Sequence, residues 1–286
     1  MPSLTQGPFP KNRTEFNRSP LLLVGFFLGS FLLLTAVFGP LFSPFDPMDH
    51  SFVPMSKPSI HHSLGINDGG QDILSELLLA VQNSVSFAAL TGLISLLFGV
   101  GIGILSAWYE RWLGNILMRI ADVLLAIPSV MILILVSSLF RPDPLILSLL
   151  LSGLAWPTIA RGVRAQTLSV KNRLHILAVR QMGAGPWYVI WRHLVPELFP
   201  LYLLGFTAKT RMAILMEASL AYLGLFEPGR KSLGAMISPA LKYYYLDVWW
   251  YWLMPPVLFL AMLFGSVTFI SIAIEGWSDP RLRGMG

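Results

Sequence analysis

Ionisable residues embedded in long apolar runs are the groups of this sequence that could carry chemistry. Lys209, Arg211 and Glu217 sit inside the apolar stretch 198–225, and Asp122 sits inside 116–140. In hydrocarbon each such group costs about 3 kcal/mol or more unless paired or hydrated, which makes each a candidate for a path through a membrane. Lys209 and Glu217 are eight residues apart, roughly 12 Å along a helix. That is too far to pair directly, yet the two lie within one quadrant of the helix circumference. The placement suits one wall of a water-filled translocation path, on which Lys209 or Arg211 would favour an anionic or carboxylate-bearing substrate. The alternative for these cations is a pair with an acid on a neighbouring chain. Asp122 reads as a structural partner of Arg119 or of nearby backbone rather than as a proton relay.

Other spacings point away from catalysis. His61-His62 lacks carboxylates at ligand spacing and reads as plain loop rather than a metal site. Gly99-Val100-Gly101-Ile102-Gly103 lies in the middle of an apolar run with no strand before it, so close helix packing explains it better than dinucleotide binding. No G-x-x-x-x-G-K-[ST] phosphate loop occurs. Ser, His and Asp do not gather at a depth that suits intramembrane hydrolysis, and the absence of Cys excludes thiol catalysis, disulfide scaffolds and Cys-ligated metals. The expectation is a chain with no catalytic residues, no bound metal and no cofactor.

The elements that must position these groups follow from composition. The 286 residues are 55% hydrophobic and 12% charged, with mean hydropathy +0.65, whereas soluble domains are about a quarter charged. Disorder, coiled coils and nucleic-acid binding all need charge that is not here. The chain is expected to be an all-α integral membrane protein in contact with lipid, and not with nucleic acid. A helix crosses the hydrocarbon in about 20 residues, and six transmembrane helices are expected, at 21–42, 85–108, 116–140, 145–159, 198–225 and 252–274. The first is full length and lacks an obvious cleavage site, so it reads as a span rather than a signal peptide. With the N-terminus in the cytoplasm, Lys11, Arg13, Arg18, Arg111, Arg119, Arg161, Arg164, Lys171, Arg173, Arg180, Arg192, Arg281 and Arg283 fall inside. Only Lys57, Arg141, Arg230, Lys231 and Lys242 then fall outside, which is the orientation the positive-inside rule favours. The expected organisation is a cytoplasmic segment 1–20, a first span 21–43, an external segment 44–84, a five-helix core 85–275 and a cytoplasmic tail 276–286. Within the core lie a cytoplasmic loop 161–197 and a second external loop, 226–251, rich in Tyr and Trp.

In the cytoplasmic loop, Leu174, Leu177, Ala178 and Met182 form one apolar helical stripe, and Gly183, Gly185 and Pro186 break that helix. Trp187, Ile190, Trp191, Leu194 and Val195 form a second stripe, which Pro196 is expected to end. Two short amphipathic helices joined by a Gly-Ala-Gly-Pro turn can rest on lipid headgroups or fill a groove on a soluble partner.

Ala178-Val179-Arg180-Gln181-Met182-Gly183, with Pro196 thirteen residues after the Gly, resembles the EAA loop of ABC importer permeases. The run GAGPWYVIWRHLVPE, 183–197, is similar to the form found in peptide and nickel importers. Leu64-Gly65 with Asp68-Gly69-Gly70-Gln71-Asp72-Ile73-Leu74-Ser75 resembles the LGTD..GRD..SR segment of that family. Met118-Arg119-Ile120-Ala121-Asp122 with Pro128-Ser129 resembles its MR..D.....PS stretch, Glu217–Gly224 its EASLSFLG, and Asp279-Pro280-Arg281-Leu282 its closing DPRL. The resemblance covers about 64–282 in order, and the N-terminal span suits the C-type permease of the dipeptide/oligopeptide/nickel group. There are departures: the Glu of the EAA signature falls at Leu177, its second Ala at Val179, and the Arg residues of GRD and SR fall at Gln71 and Glu76. A third basic position falls at Gln82.

What the resemblance implies is a type I importer permease fold, in a bacterial inner membrane, that does not itself hydrolyse ATP. Its partners would be a second homologous permease, two ABC ATPase subunits and an extracytoplasmic substrate-binding protein. The EAA loop would be a coupling helix seated in a groove of the ATPase, with Ala178, Gly183, Ala184 and Pro196 at the contact and Leu174 and Leu177 as anchors. Cargo would be dipeptides or oligopeptides, with nickel or metal chelates and antimicrobial peptides as alternatives. A different class, a stand-alone channel or secondary transporter, would show inverted repeats or matched interrupted helices. The sequence offers neither.

Overall fold

The computed structural model describes residues 20–278, apart from Pro228 and Val248. The basic residues Lys11, Arg13, Arg18, Arg281 and Arg283 and the Asp279–Leu282 stretch lie outside the described residues.

The first helix, α1 (Pro20–Phe38), runs into a 3-10 turn at Gly39–Phe42. Asp72 sets the start of α2 (Ile73–Trp108). Its backbone is extended and its carboxylate accepts from Ser75 N at 2.8 Å, which satisfies a donor that helix geometry leaves open. At 36 residues α2 is roughly 54 Å long and begins well before position 85. Ile73, Leu77, Ala80 and Val81 are all buried, so the apolar face starts with the helix. The expected span 116–140 is two helices, α3 (Trp112–Ala126) and α4 (Ser129–Phe140), bent by 71°. Pro128 is the cause, since it pushes Ile127 out of helical geometry to φ −97, ψ 126.

The helix expected at 145–159 extends much further, as α5 (Pro144–Lys171). Beyond Ile159 its buried face continues through Ala160, Val163, Thr167 and Val170 while Arg161 stays on the exposed side. Residues 161–171 therefore belong to the helix, and the loop shortens to 172–198. That loop contains α6 (Leu174–Gln181), α7 (Pro186–Val189), a π turn (Ile190–Leu194) and α8 (Val195–Glu197). Then come α9 (Phe199–Tyr222), α10 (Leu233–Lys242) and α11 (Trp249–Ser278). The helix α10 falls where the sequence suggested only loop. Ser232 caps it by accepting from Ala235 N, and Gly234 lets its backbone reach α9, where a Cβ would come within 2.5 Å of Ala218 O.

Helix α2 is central and packs along α5 and α9, while α1 and α11 pair on one flank. The Gly99/Gly103 pair is what brings α2 against α5: a Cβ at Gly99 would meet Ile159 at 2.5 Å, and one at Gly103 would meet Val163 at 2.7 Å. Gly25 does the same between α1 and α11, against Phe269 and Ile270. The larger core gathers Ile73, Leu77, Leu147, Leu151, Ile214, Met236 and Trp252. A second core, around Val163, Ile176, Val189 and Leu194, fastens the 172–198 loop beneath the bundle. No strand occurs among the described residues; Ile66 and Asp72 form a lone bridge.

Four helices, those beginning at Pro20, Ile73, Pro144 and Trp249, are long and apolar enough to cross a membrane, and α3 with α4 makes a fifth if the bent pair is one span. The remaining expected span, 198–225, is α9, 24 residues long, but Lys209, Arg211 and Glu217 interrupt its apolar run.

Candidate functional site

Burial divides the 172–198 loop into two faces. Ile176 is fully buried and Val189, Ile190 and Leu194 lie beside it in the same core. Leu174 is 86% exposed and Met182 85% exposed, and Leu177 and Ala178 also lie on the outer face. The first stripe read from the sequence is thus a real face, but it points away from the protein, and Ile176 is the residue that seats α6. The second stripe is not one face. Ile190 and Leu194 turn inward, whereas Trp187 and Trp191 are exposed, with Tyr188 between them. The π turn at Ile190–Leu194 shifts the register that an α-helical reading assumes.

Gly183 ends α6 at φ +87. Ala184 N donates to Val179 O at 3.3 Å and Gly183 N to Arg180 O at 3.1 Å, the paired bonds of a Schellman cap. Nothing lies within 4 Å of a Cβ at Gly183, so glycine is needed there for its φ, and the space above the turn is open. Ala184 is half-buried. Pro196 does not end the second helix: it sits exposed in the first turn of α8, where a missing N–H costs nothing, and helix resumes at Phe199. The loop is also clamped at its base. Arg173 pairs with Glu197, with His175 Nε2 3.5 Å from the same carboxylate, and the Arg180 guanidinium sits 5.3 Å over the Trp108 ring. Lys171 pairs with Glu110 and donates to Ala107 O at 2.9 Å.

The structure separates the three charged residues of α9. Glu217 is 2% exposed and accepts from Ser84 Oγ at 3.2 Å, with Ser232 as a further donor. It joins α9 to α2 and to the start of α10, and so belongs to helix packing rather than to an open wall. Lys209 and Arg211 are partly exposed and form no ion pair or hydrogen bond among the described residues. Asp122 pairs with Arg161 of α5, not with Arg119.

At the opposite end, residues 43–72 fold onto α2 and the loop after α9. Lys231 Nζ donates to Glu76 Oε1 at 2.9 Å and to Gln71 Oε1 at 2.5 Å, and Asn67 Nδ2 donates to Glu76 Oε2 at 2.8 Å. Asn83 Nδ2 holds Lys231 O at 2.7 Å. The two positions that depart from the GRD..SR pattern are therefore partners of one lysine from the loop after α9, a contact no single-sequence spacing could reveal. His62 is structural: its Nδ1 lies 2.9 Å from Asp72, and its ring stacks on Phe45. Nearby, the Asp68 carboxylate pushes the Tyr243 phenol above its ordinary range, while burial pulls the Arg230 guanidinium down. No His/Asp/Glu group able to hold a metal occurs among the described residues.

An apolar helical bundle with a clamped amphipathic loop at one end matches a known family. Residues 99–284 match binding-protein-dependent transport system inner membrane components, and residues 13–58 match the N-terminal transmembrane domain of oligopeptide transport permease C. The chain belongs to the binding-protein-dependent permease family. A putative peptide permease of Brucella ovis is 30% identical over 279 residues, covering 96% of this chain and 92% of the relative. The oligopeptide transport system permease OppC of Bacillus subtilis is 31% identical over 274 residues, covering 94% and 88%. The glutathione transport system permease GsiD of Pectobacterium atrosepticum is 33% identical over 184 residues, covering 64% and 61%. The permease is thus a multi-pass inner-membrane transport component of ABC importers, a non-catalytic part of such systems.

Proposed function

We propose that this permease is the C-type subunit of an ATP-driven importer of dipeptides or oligopeptides, and that the 172–198 loop is its coupling element. The carrying observation is the outward apolar face of a loop that is held rigid from beneath: Leu174, Leu177, Met182, Trp187 and Trp191 are exposed while Ile176, Val189 and Leu194 are locked in the core. A short helix fixed on one side transmits a rigid-body push without bending. The apolar outer face fits the groove of an ABC ATPase, with Leu174, Leu177 and Ala178 seated in it. The open space above Gly183 admits the partner backbone, with half-buried Ala184 and exposed Pro196 as further contacts of the same surface. Two ATPases, a second homologous permease and an extracytoplasmic binding protein complete the assembly.

In this reading all six spans cross, α3 and α4 forming one broken span and α9 the fifth, which puts both termini on one side, the cytoplasm by the positive-inside rule. Residues 1–20 and 276–286 lie inside, 44–72 outside, and 172–198 inside. Helix α9 crosses despite its charges because it lines a hydrated path between the two permeases. The peptide cargo is the reading that the names of the relatives support; nickel, metal chelates or antimicrobial peptides are the alternatives within the family.

The test is affinity purification of the tagged permease from native membranes in mild detergent, with all co-purifying chains identified. A second permease and phosphate-loop ATPases are expected with the wild-type chain. Leu174→Glu combined with Trp191→Glu should lose the ATPases while retaining the second permease. Full retention of the ATPases by that variant would overturn the coupling assignment.

A further inference from the structure

Resting on the importer reading, the inference concerns the chemistry of the cargo. Several charges at the ends and edges of the spans are answered within the chain, Arg161 by Asp122, Lys171 by Glu110, Arg173 by Glu197 and Lys231 by Glu76. Lys209 and Arg211 stand apart. They lie at the middle of the 24-residue α9, half-buried and without a carboxylate among the described residues, and the one acid of their own helix, Glu217, is enclosed by Ser84 and Ser232.

The packing of α9 shows where they stand. Thr207 bonds Ser271 of α11 at 3.1 Å, Thr210 abuts Gly92 of α2, and Glu217 faces Ser84, so those directions are filled. The strip of α9 that the chain leaves uncovered runs through Ala208, Leu215, Ser219 and Tyr222, all exposed. At 100° per residue, Lys209 and Arg211 border that strip on its two sides. A pair of unanswered cations at mid-membrane depth is costly unless water and negative charge reach them.

We propose that Lys209 and Arg211 are specificity residues: they form a cationic station on the translocation path that favours cargo bearing a free carboxylate. The competing source of negative charge is an acid of the second permease.

Because the chain contains no cysteine, the test is direct. Lys209→Cys is placed in the full assembly in native membranes and exposed to two water-soluble thiol reagents of equal reach, an anionic sulfonatoethyl and a cationic trimethylammonioethyl methanethiosulfonate. Each rate is normalised to that with a free thiol and read as a mass shift on this chain. With Arg211 in place the sulfonate should be favoured about tenfold, and adding Arg211→Met should bring the ratio close to one. An unchanged ratio, or no labelling by either reagent in an intact assembly, overturns the proposal. So does loss of the second permease on Lys209→Met, which would identify an inter-subunit ion pair. Failure of the importer reading shows separately, as absence of ATPases from the purified assembly. As a second measurement, uptake of trialanine and of its C-terminal amide into whole cells should fall about tenfold for the free acid, relative to the amide, in Lys209→Met with Arg211→Met. An equal loss for both counts against a carboxylate contact.

Discussion

Where residues 43–72 meet the loop after α9, polar side chains satisfy one another inside the chain, whereas around residues 172–198 apolar side chains are left over outside it. At the first end Glu76, Gln71, Asn67 and Lys231 form a closed set of hydrogen bonds and Glu76 is 6% exposed. At the second, Leu174 and Met182 are almost wholly exposed although both are strongly apolar. A buried polar network rigidifies what it joins and gains nothing from a partner. An exposed apolar face on a rigid base is left open to a partner, and on the proposed function an ATPase covers it. On that proposal, stability and coupling are thereby assigned to different places, and substitutions can separate them.

The largest effect is expected at the closed end. Glu76→Ala leaves the Lys231 ammonium, 13% exposed, without its carboxylate, and breaking a largely buried pair in this way costs about 3–5 kcal/mol. The thermal midpoint of the detergent-solubilised permease should drop sharply. Glu76→Leu combined with Lys231→Leu should cost less than Glu76→Ala alone, because no charge is then stranded. A double variant worse than the single one would show that the network matters for more than mutual compensation.

The next effect compares the two faces of the loop itself. Ile176→Ala removes a fully buried side chain and should loosen α6 by about 2–4 kcal/mol, read as faster tryptic cleavage at Arg180. Leu174→Ala, at an exposed site, should shift that cleavage and the thermal midpoint by no more than about 0.5 kcal/mol equivalent. It should nevertheless weaken ATPase co-purification. Equal behaviour of the two variants in both assays would erase the distinction between an inner and an outer face.

Much of this was legible in the sequence, and what was not has identifiable reasons. Apolar runs located the four long apolar helices and the bent pair of α3 and α4, and the Gly99/Gly103 spacing foretold a close helix contact. The true start of α2 was hidden because Ser75 and Glu76 are polar residues buried by long-range partners, which a run-length reading takes for loop. The amphipathic stripe at Leu174, Leu177, Ala178 and Met182 was visible, but periodicity alone says which residues share a face and not which way the face points. Ile176 was the missed residue: a single isoleucine between His175 and Leu177, whose core partners Val163 and Leu194 are far away in sequence. The Glu217 carboxylate looked like its neighbours Lys209 and Arg211 until Ser84, on another helix, was placed beside it. In each case the decisive contact is non-local.

The smallest effect tests a third arrangement, in which one side chain serves both the interior and the surface. Lys171 donates to Ala107 O, closing the C-terminal turn of α2, and pairs with Glu110 in the turn beyond it. The hydrogen bond and charge of Lys171 hold the Glu110 carboxyl below its ordinary value of 4.5. A carboxyl whose folded value is depressed stabilises above its unfolded value and loses that contribution as pH falls through the folded one. Glu110 is solvent-exposed, so water screens the pair and the effect is slight. Glu110→Gln should therefore lower the thermal midpoint slightly at pH 7, leave the difference unchanged down to about pH 5, and lose it in stronger acid. Lys171→Met should lower the midpoint further at every pH, since the bond to Ala107 O is to a neutral acceptor that does not titrate. A Glu110→Gln difference that instead grew on acidification would reverse the sign of the coupling and place the stabilising charge elsewhere in the turn.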